Sequence, residues 1–336
     1  MTGIGAQQPS VICEIASAHG GDVDVLKRML TCADLADADW VKVQVYRFDS
    51  LIAESNEDFQ DLKQIELSPD DWRVAIRHAG KLRPRLVAEV FDSSSLELMV
   101  GEPAVQAFKI PTADLGDTAF VDAVCRQGKP VFVGVGGATF DEVDAVVEQI
   151  RSYLGVRLIL LHGFQNFPTR LEDSLLARIR LLGARYGCEV GFADHVDAEN
   201  VEIARTLPAM AVAAGATVIE KHLTLNRAAR GFDWYSALNP DEFIEFVRHI
   251  RLIATAMGPE GSTELTSAEQ VYRNKMKKFA VLGRAVLRGT PVADATVAYK
   301  RTSSPGLTRD ALGSHGARVF AADLPAGTVL RDDQFR

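Results

Sequence analysis

Several features that mark common binding and export classes are missing from this chain of 336 residues. Its net charge of −8 and the lack of a basic run with interleaved aromatics argue against a nucleic-acid-binding face. The first eight residues have neither positive charge nor an apolar core, and the longest apolar run, 210–219, is too short to span a membrane. The four cysteines, Cys13, Cys32, Cys125 and Cys188, are scattered and form no CxxC pair. They therefore indicate neither a zinc knuckle nor a disulfide framework. These absences predict a cytoplasmic protein with reduced thiols that binds neither nucleic acid nor membranes.

Short apolar segments alternate with amphipathic helical segments from the start of the chain to about residue 258. The eight strand–helix units are the number that a (β/α)8 barrel needs, and the strands are apolar on both faces, as buried parallel strands are. A doubly wound open sheet is the rival fold, but no GxGxxG fingerprint follows the first strand. The sequence therefore predicts a TIM barrel with strands at 11–16, 40–46, 85–91, 105–110, 130–135, 156–162, 189–194 and 216–222.

The composition changes after Met257. A stretch with Gly, Pro and Ser, followed by a polar helical stretch, predicts a linker over 259–278 after a catalytic barrel over 1–258. The remainder, 279–336, has β character and a weak internal repeat, in which 285–292 resembles 322–329. A segment this short has little core of its own, so we expect it to lean on another surface of its own chain or of a partner.

The apolar stretch 216–222 ends in Glu220, Lys221 and His222. Alternate residues of a strand share a face, so Glu220 and His222 point one way and Lys221 points the other. A second imidazole, His195, closes another short apolar strand. One such histidine is more often a hydrogen-bonded core residue, but two at matching strand ends favour a metal or acid–base site.

In a barrel, the residues at the carboxyl ends of the strands converge on one site. Charged groups buried there without partners would be costly, so they are expected to pair with one another, with a metal and with an anionic ligand. Lys42 and Lys109 are the candidate anion binders, although either could instead form a Schiff base or a salt bridge to a neighbouring glutamate. His195 and His222 would suit a divalent ion such as Mn, Co, Fe or Zn.

Several motifs are spread over nearly the whole chain. Together they are specific for one protein family, although none of them would be specific alone. They are Glu14-Ile with His19-Gly20, Val-Lys-Val-Gln at 41–44, Phe-Lys-Ile at 108–110, Phe-Pro-Thr at 167–169, Asp-His at 194–195, Glu-Lys-His-Leu-Thr at 220–224, Gly-Phe-Asp at 231–233 and Ser236. Together they resemble the N-acetylneuraminate (sialic acid) synthase family. In that family a barrel is joined to a small C-terminal antifreeze-like (SAF) domain, which 279–336 resembles, with Lys300-Arg301 at the place of its Lys-Arg-Pro-Gly motif.

The resemblance implies condensation of phosphoenolpyruvate with the open-chain aldehyde of an N-acetyl amino sugar. His195 and His222 would hold Mn²⁺ or Mg²⁺, which would polarise the aldehyde oxygen as a Lewis acid. Lys42 and Lys109 would hold the carboxylate and phosphate of the donor, and Arg301 would reach into the barrel of the partner in a domain-swapped homodimer. Glu14, Glu220 and Asp114 would position water or move protons, and Gln44 and Asp233 would bind sugar hydroxyls. The expected catalytic residues are Glu14, Lys109, Asp194 and Glu220, and the expected substrate-binding residues are Lys42, Gln44, Glu89, Thr112, Asp114, Gly134, His162, Gln165, Phe167, Asp233, Ser236 and Arg301.

The chain departs from the family where that family has hydroxyl groups in its phosphoenolpyruvate pocket. The family's Ser-Thr-Pro-Phe, Ser-Thr-Gly and Ser-Asp-His are Ala-Glu-Val-Phe at 88–91, Gly-Val-Gly at 134–136 and Ala-Asp-His at 193–195. Hydrogen bonds to charged groups contribute about 1.5–3 kcal/mol each, so losing several would weaken phosphate binding unless the backbone at 134–137 compensates. Glu89 also places a carboxylate near the expected dianion.

Three hypotheses therefore stay open for this chain. The first is a phosphoenolpyruvate-dependent synthase with an unusual acceptor or a rebuilt phosphate pocket. The second is a metal-dependent pyruvate aldolase or lyase that uses no phosphorylated donor. The third, a non-catalytic paralogue that binds a sugar or a protein, is disfavoured because the charged and metal-ligating residues persist. The acceptor could be N-acetylmannosamine, a diamino-trideoxy hexose, or a compound outside the sugars.

Overall fold

The computed structural model describes residues 8–166, 168–258 and 263–336. The chain divides into two compact units, Met1–Glu260 and Gly261–Arg336. The division falls within the predicted linker, of which 259–262 lie outside the described residues.

Eight parallel strands form a closed barrel in the first unit, because each strand pairs with the next in sequence and the eighth pairs with the first. This confirms the predicted fold class. The strands are β1 (Ser10–Glu14), β2 (Trp40–Val45), β3 (Arg85–Val90), β4 (Val105–Ile110), β5 (Val131–Gly134), β6 (Leu158–His162), β7 (Glu189–Asp194) and β8 (Val218–His222).

Helices follow the strands and cover the outside of the barrel. They are α1 (Val23–Leu35), α2 (Phe48–Leu51), α3 (Phe59–Ile65), α4 (Pro69–Ala79), α5 (Ser93–Met99), α6 (Thr118–Cys125), α7 (Phe140–Arg151), α8 (Ala177–Tyr186), α9 (Val201–Ala213) and α10 (Pro240–Met257). Local chemistry fixes their starts: at α4, Ser68 and Asp71 form a reciprocal capping box and Pro69 occupies the first helical position. The outward strand faces and the inner helix faces share one large apolar core.

The inside of the barrel is layered. Inward-facing apolar side chains fill the lower layer, with the rings of Trp40 and Phe132 in edge-to-face contact at 5.6 Å. On five strands, the inward-facing residue two positions after the apolar one, towards the carboxyl end of the strand, is charged. Gly191 completes the lower layer, because a Cβ there would lie 2.6 Å from Leu161 Cδ2 and 2.8 Å from the Val218 carbonyl oxygen. The apolar layer consists of Ile12, Trp40, Val87, Ala107, Phe132, Ile159 and Val218, and Leu161 packs on it from two residues beyond Ile159. The charged layer consists of Glu14, Lys42, Glu89, Lys109 and Glu220.

The second unit contains helix α11 (Ser267–Met276), the antiparallel pair β9 (Phe279–Leu282) and β10 (Val297–Lys300), and helix α12 (Arg309–Gly313). The two halves of the weak sequence repeat meet here, since Val286 and Leu324 form an antiparallel bridge. We expected little core in this segment, and that expectation was wrong. A separate apolar cluster is formed by the buried residues Ala280, Leu282, Val286, Val292, Leu307, Leu312, Phe320, Leu330 and Phe335.

Within the described ranges, no helix combines the length and hydropathy that crossing a bilayer would require.

Candidate active site

A cavity of about 250 Å³ lies at the carboxyl ends of the barrel strands. Most of the residues that the sequence suggested converge on it, as the barrel geometry requires. Those that line it are Glu14, Lys42, Gln44, Glu89, Lys109, Thr112, Gly134, Gln165, His195, Glu220 and His222.

A buried ion cluster forms the inner end of the cavity. The Lys42 ammonium contacts the carboxylates of Glu14 and Glu89 and lies 3.3 Å from Glu220 Oε1. The Lys109 ammonium lies 3.3 Å from Glu89 Oε1 and 3.2 Å from Glu220 Oε1. The salt bridges to glutamate that the sequence left open for both lysines are therefore present, and they leave both ammonium groups facing the cavity.

Electrostatics keep Glu220 and Lys109 charged. Burial alone would raise the pKa of Glu220, but Lys109 and Lys42 lower it to about 2. Burial alone would likewise lower the pKa of Lys109, but Glu220 and Glu89 raise it above its ordinary value. A lysine held protonated in this way is a poor nucleophile, which disfavours a Schiff base at Lys109. With both lysines protonated, three carboxylates and two ammonium groups leave one negative charge.

The two imidazoles predicted to hold a metal lie side by side, with the ring centroids of His195 and His222 5.1 Å apart. Burial lowers the pKa of His222 to about 3, and burial with the neighbouring His222 holds the pKa of His195 well below its usual range. Both rings are therefore neutral, as a metal ligand must be. The Nδ1 atom of each ring is buried without a hydrogen-bond partner. In the parts of the chain that the structure describes, no group of three or more His, Cys, Asp or Glu side chains is placed to hold an ion.

A polar network borders the cavity beside Gln165. The Gln165 side-chain amide donates to Asp233 Oδ1 at 2.7 Å and also contacts the Tyr235 hydroxyl. Asp233 in turn accepts from the Ser17 amide at 3.2 Å. Tyr235 was not among the sequence candidates, because nothing in the sequence pattern distinguishes it from a surface aromatic. Ser236, whose backbone amide donates to the Asp233 carbonyl oxygen at 3.2 Å, is fully buried.

Two predicted site residues face away from the cavity. His162 lies with Nε2 2.9 Å from the Ser174 carbonyl oxygen, and Asp194 Oδ2 accepts from the Lys221 ammonium at 2.7 Å. Strand alternation explains both, because the preceding residues Leu161 and Ala193 line the cavity. Asp194 is therefore positioned to orient its neighbours rather than to touch a ligand.

Three further candidates do not line the cavity or cannot be placed against it. Asp114 is half-buried on a short 3-10 turn outside the cavity lining, with its pKa raised by burial and by Asp117. Arg301 is exposed and belongs to the second unit. Phe167 lies outside the described residues.

Glycines allow the loops above β5, β6 and β7 to meet at the rim of the cavity. A Cβ at Gly136 would lie 1.9 Å from the Gly163 carbonyl oxygen, and one at Gly163 would lie 2.1 Å from the Ala193 carbonyl oxygen. Gly163 also has a φ of +123°, which side-chain-bearing residues rarely adopt. Sequence reasoning missed several lining residues whose inward positions strand alternation could have indicated, namely Phe91, Pro111, Leu161 and Gly163.

A closed ring of eight parallel strands with charged side chains converging at its carboxyl end defines a barrel protein with an enzyme-like site. Residues 29–262 match the NeuB family, and the chain belongs to that family. It is 25% identical to the N,N'-diacetyllegionaminic acid synthase of Legionella pneumophila, over 95% of this chain and 92% of that protein. It is 27% identical to a pseudaminic acid synthase of Campylobacter jejuni, over 97% of this chain and 96% of that protein.

A solved structure supports the same conclusion. The N-acetylneuraminic acid (sialic acid) synthetase of Leptospira borgpetersenii, crystallised with citrate, is 28% identical and superposes with a TM-score of 0.73. The match covers 80% of this chain and 92% of that chain. The resemblance stated from the motifs is thereby confirmed, and the chain is a member of a family of carbon–carbon bond-forming synthases.

Proposed function

We propose that this chain condenses phosphoenolpyruvate with the open-chain aldehyde of an amino sugar, with the help of a divalent metal, to give a sialic-acid-like ulosonic acid. Family membership supports this reaction class. The observation that carries the proposal is the cavity, where two ammonium groups, three carboxylates and two neutral imidazoles face one small space.

The overall reaction joins C3 of the donor to the aldehyde carbon, adds one water at C2 and releases inorganic phosphate. The donor is anionic, and Lys42 and Lys109 are the cationic side chains that line the cavity. They lie at its inner end, directly above the apolar layer, and would hold the donor there.

Glu14 and Glu220 are the candidates for handling water and protons. Glu220 has one carboxylate oxygen, Oε2, that is buried without a hydrogen-bond partner, and Glu14 Oε2 contacts the Lys42 ammonium. Glu14 Oε1 accepts from the Ala16 amide at 2.6 Å, which fixes the orientation of that carboxylate. An ionised, oriented carboxylate within reach of the donor can position the attacking water and accept its proton.

His195 and His222 fit a divalent ion, since both rings are neutral and each has a buried Nδ1 without a partner. They would hold Mn²⁺ or Mg²⁺, with water and substrate completing the coordination. When bound, the ion would act as a Lewis acid on the aldehyde oxygen.

The acceptor would lie nearer the rim, where Gln44 and Gln165 line the cavity and Asp233 is bonded to Gln165. Amide and carboxylate groups of this kind suit sugar hydroxyl and amide groups. The named relatives make legionaminic and pseudaminic acids, so diamino-trideoxy hexoses and N-acetylmannosamine are the acceptors to compare. The second unit would be a SAF domain that brings the exposed Arg301 to the cavity of a partner subunit in a cytoplasmic dimer.

The direct test is phosphate release from phosphoenolpyruvate with Mn²⁺ and each amino-sugar aldehyde. We expect acceptor-dependent release, and a Lys109→Ala variant that keeps the fold but loses turnover by at least about a thousandfold. Lys27→Ala, which removes a partly exposed lysine of α1, is the matched control. Wild-type rates in Lys109→Ala would remove this lysine from the mechanism, and phosphate-free formation of pyruvate from a ulosonic acid would favour an aldolase instead.

A further inference from the structure

Glu89 is placed differently from the other two carboxylates of the ion cluster. It uses both of its oxygens on the lysine pair: Oε2 contacts Lys42, and Oε1 lies 3.3 Å from Lys109 Nζ. Glu89 Oε2 is also 3.4 Å from the Gln44 side-chain amide. Its side chain is only 4% exposed, so water screens these contacts little.

The two neighbouring glutamates do not bridge the lysines with one oxygen each. Glu220 meets both lysines through Oε1 alone, and its Oε2 has no hydrogen-bond partner. Glu14 contacts only Lys42, and its Oε1 accepts from the backbone. Of these three carboxylates, Glu89 is the one that spans the pair with one oxygen on each ammonium, which is how a bound carboxylate or phosphate would span it.

We propose that Glu89 is a specificity-determining residue that occupies the anion site between Lys42 and Lys109. An incoming oxyanion must share the two ammonium groups with this carboxylate, and the repulsion grows with the charge of the oxyanion. A dianion is therefore held more weakly than the lysine pair alone would hold it, whereas a monoanionic carboxylate is affected less. This inference rests on the proposed function, in that the lysine pair is taken as the site for the donor's anionic groups.

The consequence for the reaction concerns phosphate. A pair of free lysines at the closed end of a cavity would retain the inorganic phosphate that the condensation releases. Glu89 competes for the same ammonium groups. Once the bond between C2 and the phosphate oxygen has broken, the Glu89 carboxylate therefore displaces the released phosphate from the two lysines. Glu89 would thus weaken phosphate inhibition, at some cost in affinity for the phosphorylated donor.

The test is calorimetric titration of the full-length protein with inorganic phosphate and, separately, with pyruvate, at one fixed Mg²⁺ concentration. Glu89→Gln keeps the shape of the side chain and removes its charge. We expect it to bind phosphate at least tenfold more tightly than the wild type, and to gain less than about threefold for pyruvate. Unchanged or weaker phosphate binding would overturn the proposal.

Two control variants test whether the effect comes from the position of Glu89 between the lysines or from the loss of any negative charge. Glu14→Gln removes the same charge from the same cavity but leaves Glu89 across both lysines, so its gain in phosphate affinity should be at least threefold smaller. Glu245→Gln removes a surface charge on α10 and should have no effect. Equal gains in Glu14→Gln and Glu89→Gln would contradict the assignment of Glu89 as the occupant.

A wild-type measurement covers the case in which Glu89→Gln does not fold. The proposal requires that the wild type bind pyruvate at least as tightly as phosphate, and a tenfold preference for phosphate would overturn it. None of these titrations involves turnover. A protein that shows the expected affinities but releases no phosphate from phosphoenolpyruvate would refute the proposed function and leave the role of Glu89 standing.

Discussion

Lys221 and Asp194 form an ion pair in which neither side chain has any exposed surface, with the ammonium 2.7 Å from the carboxylate. The pair joins β7 to β8 on the face that points away from the cavity. Each member of the pair is followed in sequence by a candidate metal ligand: His195 follows Asp194, and His222 follows Lys221. The ion pair thus ties together the two strand ends from which both imidazoles project.

Removing one member of this pair should be severe, because it leaves a buried charge without a partner. We expect Asp194→Ala to lower the free energy of unfolding by about 3–5 kcal/mol, measured by urea denaturation. The double variant Asp194→Leu with Lys221→Met should recover much of that loss, since it removes both charges. Asp24→Ala breaks an exposed ion pair on α1 and is the control, with little change expected. A single variant as stable as the wild type would show that the pair carries no such penalty.

Metal binding should depend on the imidazole pair. We expect His222→Ala to lose Mn²⁺ binding, followed by electron paramagnetic resonance of the free ion, because one of two adjacent neutral imidazoles is removed. His249→Ala on α10 alters a histidine that does not line the cavity and should bind as the wild type does. Equal Mn²⁺ affinity in all three proteins would place the ion elsewhere and would favour a non-catalytic role for the pair.

The glycine contacts at the rim give a prediction about packing. Gly136→Ala would drive a methyl group into the Gly163 carbonyl, so we expect a loss of about 1–3 kcal/mol or more in stability together with weaker phosphate binding. Gly116→Ala is the matched control, because a Cβ there meets nothing within 4 Å and the backbone is not left-handed. Thermal unfolding and calorimetry would measure both effects. Identical behaviour of the two variants would mean that the loops at 136 and 163 separate without cost.

Histidine burial predicts a pH dependence of stability. Burial lowers the pKa of His19 to about 4, against the opposing influence of Asp233 and Asp22, whereas an unfolded histidine titrates near about 6.5. Between these values the unfolded chain binds the extra proton, so stability falls as pH decreases from about 6.5 to 4, by up to about 3 kcal/mol from this group.

The variant His19→Asn isolates this effect. His19 Nδ1 accepts from the Gly21 amide at 3.0 Å, and an asparagine oxygen can accept the same bond without titrating. Free energies of unfolding at pH 7 and pH 4.5 should therefore differ less in the variant than in the wild type. The other buried histidines remain in both proteins and cancel in the comparison. An unchanged slope would mean that His19 does not titrate on unfolding.

Much of the barrel could be predicted from the sequence because hydrophobic periodicity reports each element locally. The bounds of β4 and β7 agree with the structure residue for residue. Helices α2 and α3 were missed, since four and seven residues are too few to establish a 3.6-residue period. The side that each strand residue faces could also be predicted from the sequence, because side chains alternate along a strand. This rule predicts the opposite orientations of Glu220 and Lys221. The same rule, applied to His162 and Asp194, would have placed them outside the cavity.

The remaining features depend on partners that are distant in sequence. The bond between Gln165 and Asp233 joins two loops 68 residues apart, and no local pattern signals it. For Lys42 and Lys109 the sequence left open an anion site, a Schiff base and a salt bridge. Only the closed barrel shows that both lysines contact Glu89 and Glu220 at the same time.

Among the residues that the structure describes, the apolar layer beneath the charged residues closes the barrel from below, and the cavity opens at the carboxyl ends of the strands. Lys42 and Lys109 project from positions only two residues beyond that layer, whereas Gln165 stands at the mouth. A molecule held by the lysines must therefore bind before a molecule held at the mouth. The inner molecule also cannot leave while the outer one is bound. Steady-state kinetics should accordingly show compulsory order, with the anionic reactant first on.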